Sequence, residues 1–173
     1  LTETNGDVDL AIQLLREKGL KASELKSSRQ ASEGTITSYI HPGSRVGVLV
    51  EINCETDFVA RTDEFQELAK NIAMQIAASK PTYLDRESVP ADVVESEKSI
   101  LKQQDDIQGK PEQIIEKIVE GRIDKFFAEV CLIEQSYIKD SDKTIAEIVK
   151  EAVAKLGENI VVNRFSLFVL GQT

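Results

Sequence analysis

The stretch Val48-Leu49-Val50-Glu51-Ile52-Asn53-Cys54-Glu55-Thr56-Asp57-Phe58-Val59-Ala60-Arg61 changes period halfway, and that change decides the fold. Up to Cys54 the β-branched residues fall on every second position, the spacing of a strand with a buried face. From Thr56 the spacing is helical: Phe65, Leu68, Ala69, Ile72, Ala73 and Ile76 form one stripe, and Pro81 ends a continuous helix predicted from Thr56 to about Ser79. Thr56 and Asp57 are both good N-caps, so the switch from strand to helix is placed within two residues.

Upstream, residues 34–41 alternate, with Ile36, Ser38 and Ile40 on one side and Thr35, Thr37 and Tyr39 on the other. Pro42-Gly43-Ser44 reads as the turn of a hairpin with residues 45–54. His41, before that turn, reads as a hydrogen-bonded strand-end histidine. Leu49 interrupts the polar side of the second strand, which predicts that this strand is well buried. Residues 160–170, Ile160-Val161-Val162-Asn163-Arg164-Phe165-Ser166-Leu167-Phe168-Val169-Leu170, are β-branched and aromatic, and are predicted to complete a three-stranded antiparallel sheet. Before them, Ile145, Ile148, Val149, Ala152 and Val153 mark a helix that Gly157 terminates. Pro90 opens a polar helix to about Gln104, and Pro111 opens another with Ile114, Ile115, Ile118 and Phe126 as its buried positions. Near the start, Val8, Ala11, Ile12 and Leu15 have helical spacing, with Asp7 as cap and Gly19 as stop, followed by a polar linker over residues 23–32.

The predicted class is therefore α+β: a three-stranded antiparallel sheet covered by helices over residues 31–173, preceded by a partial helical module and linker over residues 1–30. The second face of the sheet also carries apolar side chains. A small sheet with two apolar faces needs a second cover, supplied either by a second copy of the chain or by the acidic helices wrapping both sides.

Composition excludes several classes of function. Thirty acidic residues against twenty-one basic ones give a net charge of -9 over 173 residues, so affinity carried mainly by phosphate neutralisation is not expected. Residues 85–129 hold twelve acidic and seven basic residues, which reads as a solvated face. No run of about eighteen apolar residues is present to span a bilayer. The two cysteines, Cys54 and Cys131, have apolar neighbours and no CxxC spacing, and read as buried thiols in a reducing compartment. A single histidine rules out a histidine metal cluster. The Gly109-Lys110-Pro111 segment has Gln104 where a phosphate loop requires glycine. Carboxylate pairs are too abundant here to single out a hydrolase.

The 48–61 run, with Tyr39-Ile40-His41 before it and Leu156-Gly157-Glu158-Asn159-Ile160 near the end, closely resembles translation elongation factor Ts. The opening Thr4-Asn5-Gly6-Asp7, with Ala11 and Leu15-Arg16-Glu17-Lys18-Gly19, resembles the tail of that family's N-terminal, UBA-like module. The resemblance covers essentially the whole chain, and Thr-Asp-Phe-Val is its most specific element. It implies a guanine-nucleotide exchange factor for the GTPase EF-Tu, in the bacterial cytoplasm or the plastid stroma. Such a factor is not an enzyme in the strict sense and works without cofactor, metal, direct nucleic-acid contact or membrane. The residues carried over to the partner surface are Thr56, Asp57, Phe58 and Val59, whose aromatic wedge would disturb the GTPase's magnesium region and release GDP. The short forms of the family pair across their sheets, which favours a homodimer. In the family pattern a further helix and a Thr-Gly-Ala-Gly turn come first; the match here starts inside the second helix, and exchange is expected to be weaker without the earlier segment.

The residues alone leave alternatives open. Capping by itself would account for Thr56 or Asp57. Phe58 lies seven residues before Phe65, which on a continuous helix places it near the buried stripe, and Val59 is ambiguous for the same reason. A dimeric interaction scaffold of the same fold without exchange activity is the rival function.

Overall fold

In the computed structural model, which describes residues 3, 4 and 7–172, the chain leaves its sheet where the period changes, at Cys54. It forms two compact units, one of residues 1–78 with 145–173 and the other of residues 79–144.

In the first unit, β1 (Glu33–Ile40) and β2 (Val46–Cys54) make the antiparallel hairpin, with Glu33 opposite Cys54 and Tyr39 opposite Val48. Gly43 and Ser44 take left-handed backbone in the turn, at φ 91° and 56°. The strand β5 (Ile160–Val169) joins the other edge of β2, also antiparallel, for a strand order β1-β2-β5. Val48, Val50, Ile52, Cys54, Ile160 and Val162 are buried. Leu49 is not. It stands 47% exposed on the opposite face with Ile36, Ile40 and Phe168, so β2 is central in the sheet but dry on one side only.

Two backbone details fix the register. Gly34 has φ 145°, and a Cβ there would come within 2.1 Å of the Ile52 carbonyl oxygen; only glycine permits this approach. In β5, Arg164 faces Glu51 but Val162 faces Ile52, so Asn163 is an extra, bulged residue. Its amide and the Arg164 guanidinium both donate to the Glu51 carboxylate, at 3.0 and 2.6 Å. These bonds, Arg164 first, hold the Glu51 carboxyl below its usual range.

The predicted long helix is two pieces, α2 (Asp57–Ala60) and α3 (Asp63–Ser79). The stripe from Phe65 to Ile76 is buried on α3 as its spacing requires. Helix α6 (Ile145–Leu156) ends at Gly157, φ 83°, and leads into β5. At the other end of the chain, α1 (Val8–Lys26) has the Asp7 cap, whose carboxylate accepts from the Leu10 N–H. It runs through Gly19 and stops instead at Ser27, which bonds back to Ser23 and Glu24. An internal glycine costs a helix only about 1 kcal/mol, and α1 packs along α6. Val8, Ile12 and Leu15 nevertheless remain exposed; the side chain of Ala11 lies outside the described residues.

The second unit pairs α4 (Ala91–Lys102) with α5 (Glu112–Val130) around Val89, Leu101, Ile107, Val119, Ile123, Phe127 and Cys131. The buried ridge of α5 thus runs through 119, 123 and 127. Ile115, Ile118 and Phe126 flank it half-buried, and Ile114, on the far flank of the first turn, is exposed. A short hairpin follows, β3 (Ser136–Tyr137) with β4 (Asp140–Thr144). Arg86 stacks 4.5 Å over the Phe127 ring and donates to Asp124 and Glu134, fastening α5 to the segment after it. Cys54 and Cys131 are both free and buried, as their apolar neighbours predict. Burial pushes the Cys131 thiol up to about 11.

Candidate partner-binding turn

Between β2 and α3 the chain makes two helix starts in succession, each capped by a threonine. Thr56 caps α2: its hydroxyl oxygen accepts from the Val59 N–H at 3.4 Å. Thr62 starts α3: its oxygen accepts from the Phe65 N–H at 3.3 Å, while its hydroxyl donates to the Val59 carbonyl at 2.8 Å. Gln66 closes the joint by donating to the Ala60 carbonyl at 2.6 Å.

The break at Arg61-Thr62 cancels the seven-residue relation between the two phenylalanines. Phe65 is fully buried, whereas Phe58 is 78% exposed, the opposite of what one continuous helix would give. Of the four residues carried over from the family resemblance, Asp57 and Phe58 are exposed, and Thr56 and Val59 are half-buried beneath them. Thr56 is a cap, as its residue type suggested; Asp57 occupies the first helical position instead.

Five further residues, Arg61, Glu158, Glu55, Asn159 and Cys54, shape the turn. Arg61 pairs with the Asp57 carboxylate, donates from Nε to the Asp57 carbonyl at 3.1 Å, and sits 5.8 Å from the centre of the Phe58 ring. Glu158 reaches in from the far end of the chain: its Oε2 accepts from the N–H groups of Glu55 and Thr56 at 3.1 and 3.0 Å, and its Oε1 accepts the Thr56 hydroxyl at 2.6 Å. Glu55 returns the contact by accepting from the Asn159 N–H at 2.7 Å. Beneath, the buried Cys54 thiol donates to the Thr56 carbonyl at 3.1 Å, and its pKa is raised by burial and by the nearby Glu158 charge. Sequence reasoning gave no role to Glu55, Arg61, Glu158 or Asn159. The Leu156–Ile160 match was the available signal for two of them, but nothing in its spacing points to a turn a hundred residues away.

The turn offers an apolar ring, a carboxylate and a guanidinium on a braced backbone, a set suited to recognition. Among the described residues no group of histidine, cysteine and carboxylate side chains is arranged to hold a metal ion, and no helix is long and apolar enough to cross a membrane.

The sequence model of the family described as Elongation factor TS matches residues 5–172. The chain is 58% identical over 172 residues to elongation factor Ts of Syntrophomonas wolfei, covering 99% of this chain and 80% of that protein. It is 58% identical over 171 residues to that of Herpetosiphon aurantiacus, covering 99% and 86%, and 55% identical over 172 residues to that of Geobacter sulfurreducens, covering 99% and 80%. A match of this depth and extent includes both the exposed turn and the segment that braces it. The chain belongs to the elongation factor Ts family of translation elongation factors.

Proposed function

We propose that this chain is a guanine-nucleotide exchange factor that binds EF-Tu·GDP and promotes release of the nucleotide, with Thr56, Asp57, Phe58 and Val59 as the contacting turn. The exposure of Phe58 carries the reading. A phenylalanine ring left 78% exposed on a doubly capped turn, with the exposed Arg61 guanidinium over it, keeps most of its apolar surface in water, and seating it in a pocket is worth roughly 1.5–3 kcal/mol. Spent near the magnesium and phosphate site of a GTPase, that energy displaces groups that hold the metal, often the largest local charge in such a site. By linkage, a factor that weakens GDP binding is itself bound less tightly when GDP is present, by the same ratio. No covalent bond is made or broken, and the factor needs no cofactor and no nucleic acid.

Two accompanying proposals complete the reading. The outer sheet face, where Ile36, Ile40, Leu49 and Phe168 stand exposed, pairs with the same face of a second copy. Helix α1 belongs to an N-terminal module that shares in binding the GTPase, in the cytoplasm of a bacterium or the stroma of a plastid.

The test is release of a fluorescent GDP analogue from EF-Tu. Wild-type chain is expected to accelerate it, and Phe58→Ala to lose most of that acceleration with unchanged circular dichroism. Full acceleration by a folded Phe58→Ala variant would remove Phe58 from the mechanism. Binding without acceleration by the wild type would leave the scaffold reading in its place.

A further inference from the structure

We propose that Glu158 is a positioning residue for the Phe58 wedge, a claim that rests on the exchange reading above. The half-buried Glu158 carboxylate accepts three hydrogen bonds from two consecutive residues, Glu55 and Thr56, immediately before the turn. A carboxylate is the side chain for this place, because it offers two oxygens with lone pairs and no proton of its own. One oxygen takes both backbone N–H groups, which fixes the direction in which the chain leaves β2. The other takes the single Thr56 hydroxyl proton. With that proton committed, the lone pairs of the Thr56 oxygen are left for the Val59 N–H, so the cap that shapes α2 is oriented from Glu158.

The clasp is reciprocal, and it is anchored. Glu55 accepts from the Asn159 N–H, and the buried Asn159 side chain donates to the carbonyls of Ser27 and Arg29 at 3.4 and 2.8 Å. Gly157, in left-handed backbone, releases α6 so that the next two residues can face the turn. The three hydrogen bonds that Glu158 accepts come from Glu55 and Thr56, so its action on the ring passes through the backbone and the cap that precede Phe58.

The experiment compares Glu158→Ala, Glu158→Gln, Phe58→Ala and the double variant Phe58→Ala/Glu158→Ala in stimulated release of fluorescent GDP from EF-Tu, with kcat and KM for EF-Tu·GDP separated. Glu158→Ala is expected to lower kcat at least tenfold while KM moves less than threefold. Glu158→Gln keeps one oxygen for the two backbone donors and is expected to recover to within about threefold of wild type. The double variant is expected to be no slower than Phe58→Ala alone, since a misplaced ring and a missing ring fail at the same step. Normal kcat in Glu158→Ala beside a crippled Phe58→Ala would overturn the positioning role and leave the exchange reading standing. Losses that multiply in the double variant would also overturn it, and a fully active Phe58→Ala would remove both together. If Glu158→Ala does not fold, Glu158→Asp, which withdraws the carboxylate from Glu55 and Thr56 by one methylene, takes its place in the same comparison with the same expectations.

Discussion

Phe58 and Phe65 are the same residue type seven positions apart, each in the first turn of a helix that follows a threonine cap, and they have opposite fates. Phe65 is sealed in the core; Phe58 stands in solvent with Arg61 over its ring. The difference comes from the joint between them. Thr62 both ends one short helix, by donating to the Val59 carbonyl, and begins the next, by accepting from the Phe65 N–H. A restart resets the helical phase, so residues on either side need not share a face. A chain can therefore place an aromatic ring outward directly beside a stripe that points inward, with two residues of separation.

The sharpest break of this symmetry is a pair of alanine substitutions. Phe65→Ala is expected to cost about 3–5 kcal/mol of stability, the range for emptying a closed core site, measured by urea unfolding. Phe58→Ala should stay within about 0.5 kcal/mol, as exposed positions do, while losing exchange. Equal losses of stability would mean that the two rings share one core after all. Next in size, Thr62→Ala removes the cap of α3 and its bond to Val59, with an expected loss of about 1 kcal/mol and a slower exchange reaction, because the joint sets where Phe58 points. An unchanged exchange rate there would assign the ring's placement to Glu158 and Thr56 alone.

Alkaline titration probes the floor of the exposed turn. Burial first, then the Glu158 charge, raises the Cys54 thiol above its ordinary value. A raised folded-state pKa contributes stability that is complete below the ordinary thiol pKa and is lost as pH rises through the higher folded value. Stability should accordingly fall above about pH 8.5, and Cys54→Ala should soften that fall; an identical alkaline profile in the variant would show that other groups set it. The smallest effect is expected from Arg61→Ala. Its pair with Asp57 is solvent-exposed at both ends and such pairs are worth about 0–1 kcal/mol, so the melting temperature should barely move. Any larger change belongs to recognition and should appear in KM for EF-Tu·GDP.

The regular parts of this fold are legible without coordinates. Alternation located β1 and β2 and the β-branched run located β5; helical spacing and the Gly157 stop located α6. Each of these is a local period backed by a local terminator. What escaped has a different physical origin. The restart at Thr62 is hidden because a threonine inside a helical pattern looks the same whether it caps or merely tolerates the helix. Gly19 looked like a stop, yet packing of α1 along α6 outweighs a penalty of about 1 kcal/mol. The β3–β4 hairpin is polar along Lys139-Asp140-Ser141-Asp142-Lys143 and gives no hydrophobic period to read. At the candidate site, Thr56 could be placed as a cap, whereas the outward direction of Phe58 came from family resemblance and not from spacing. Glu158 and Asn159 act across a hundred residues of chain, and no local rule connects them to the turn.

The extra residue at Asn163 sets how β5 is divided between wet and dry. Before it, even-numbered side chains such as Ile160 and Val162 point into the core; after it, the odd-numbered Phe165, Leu167 and Val169 do so, leaving Phe168 outside. Deleting Asn163 alone would leave Val162 opposite Ile52 and Arg164 opposite Glu51 in one unbroken alternation, with Phe165 still inward and Phe168 still outside. The bulge thus absorbs an odd residue, so that both halves of the strand keep one reading frame against the core.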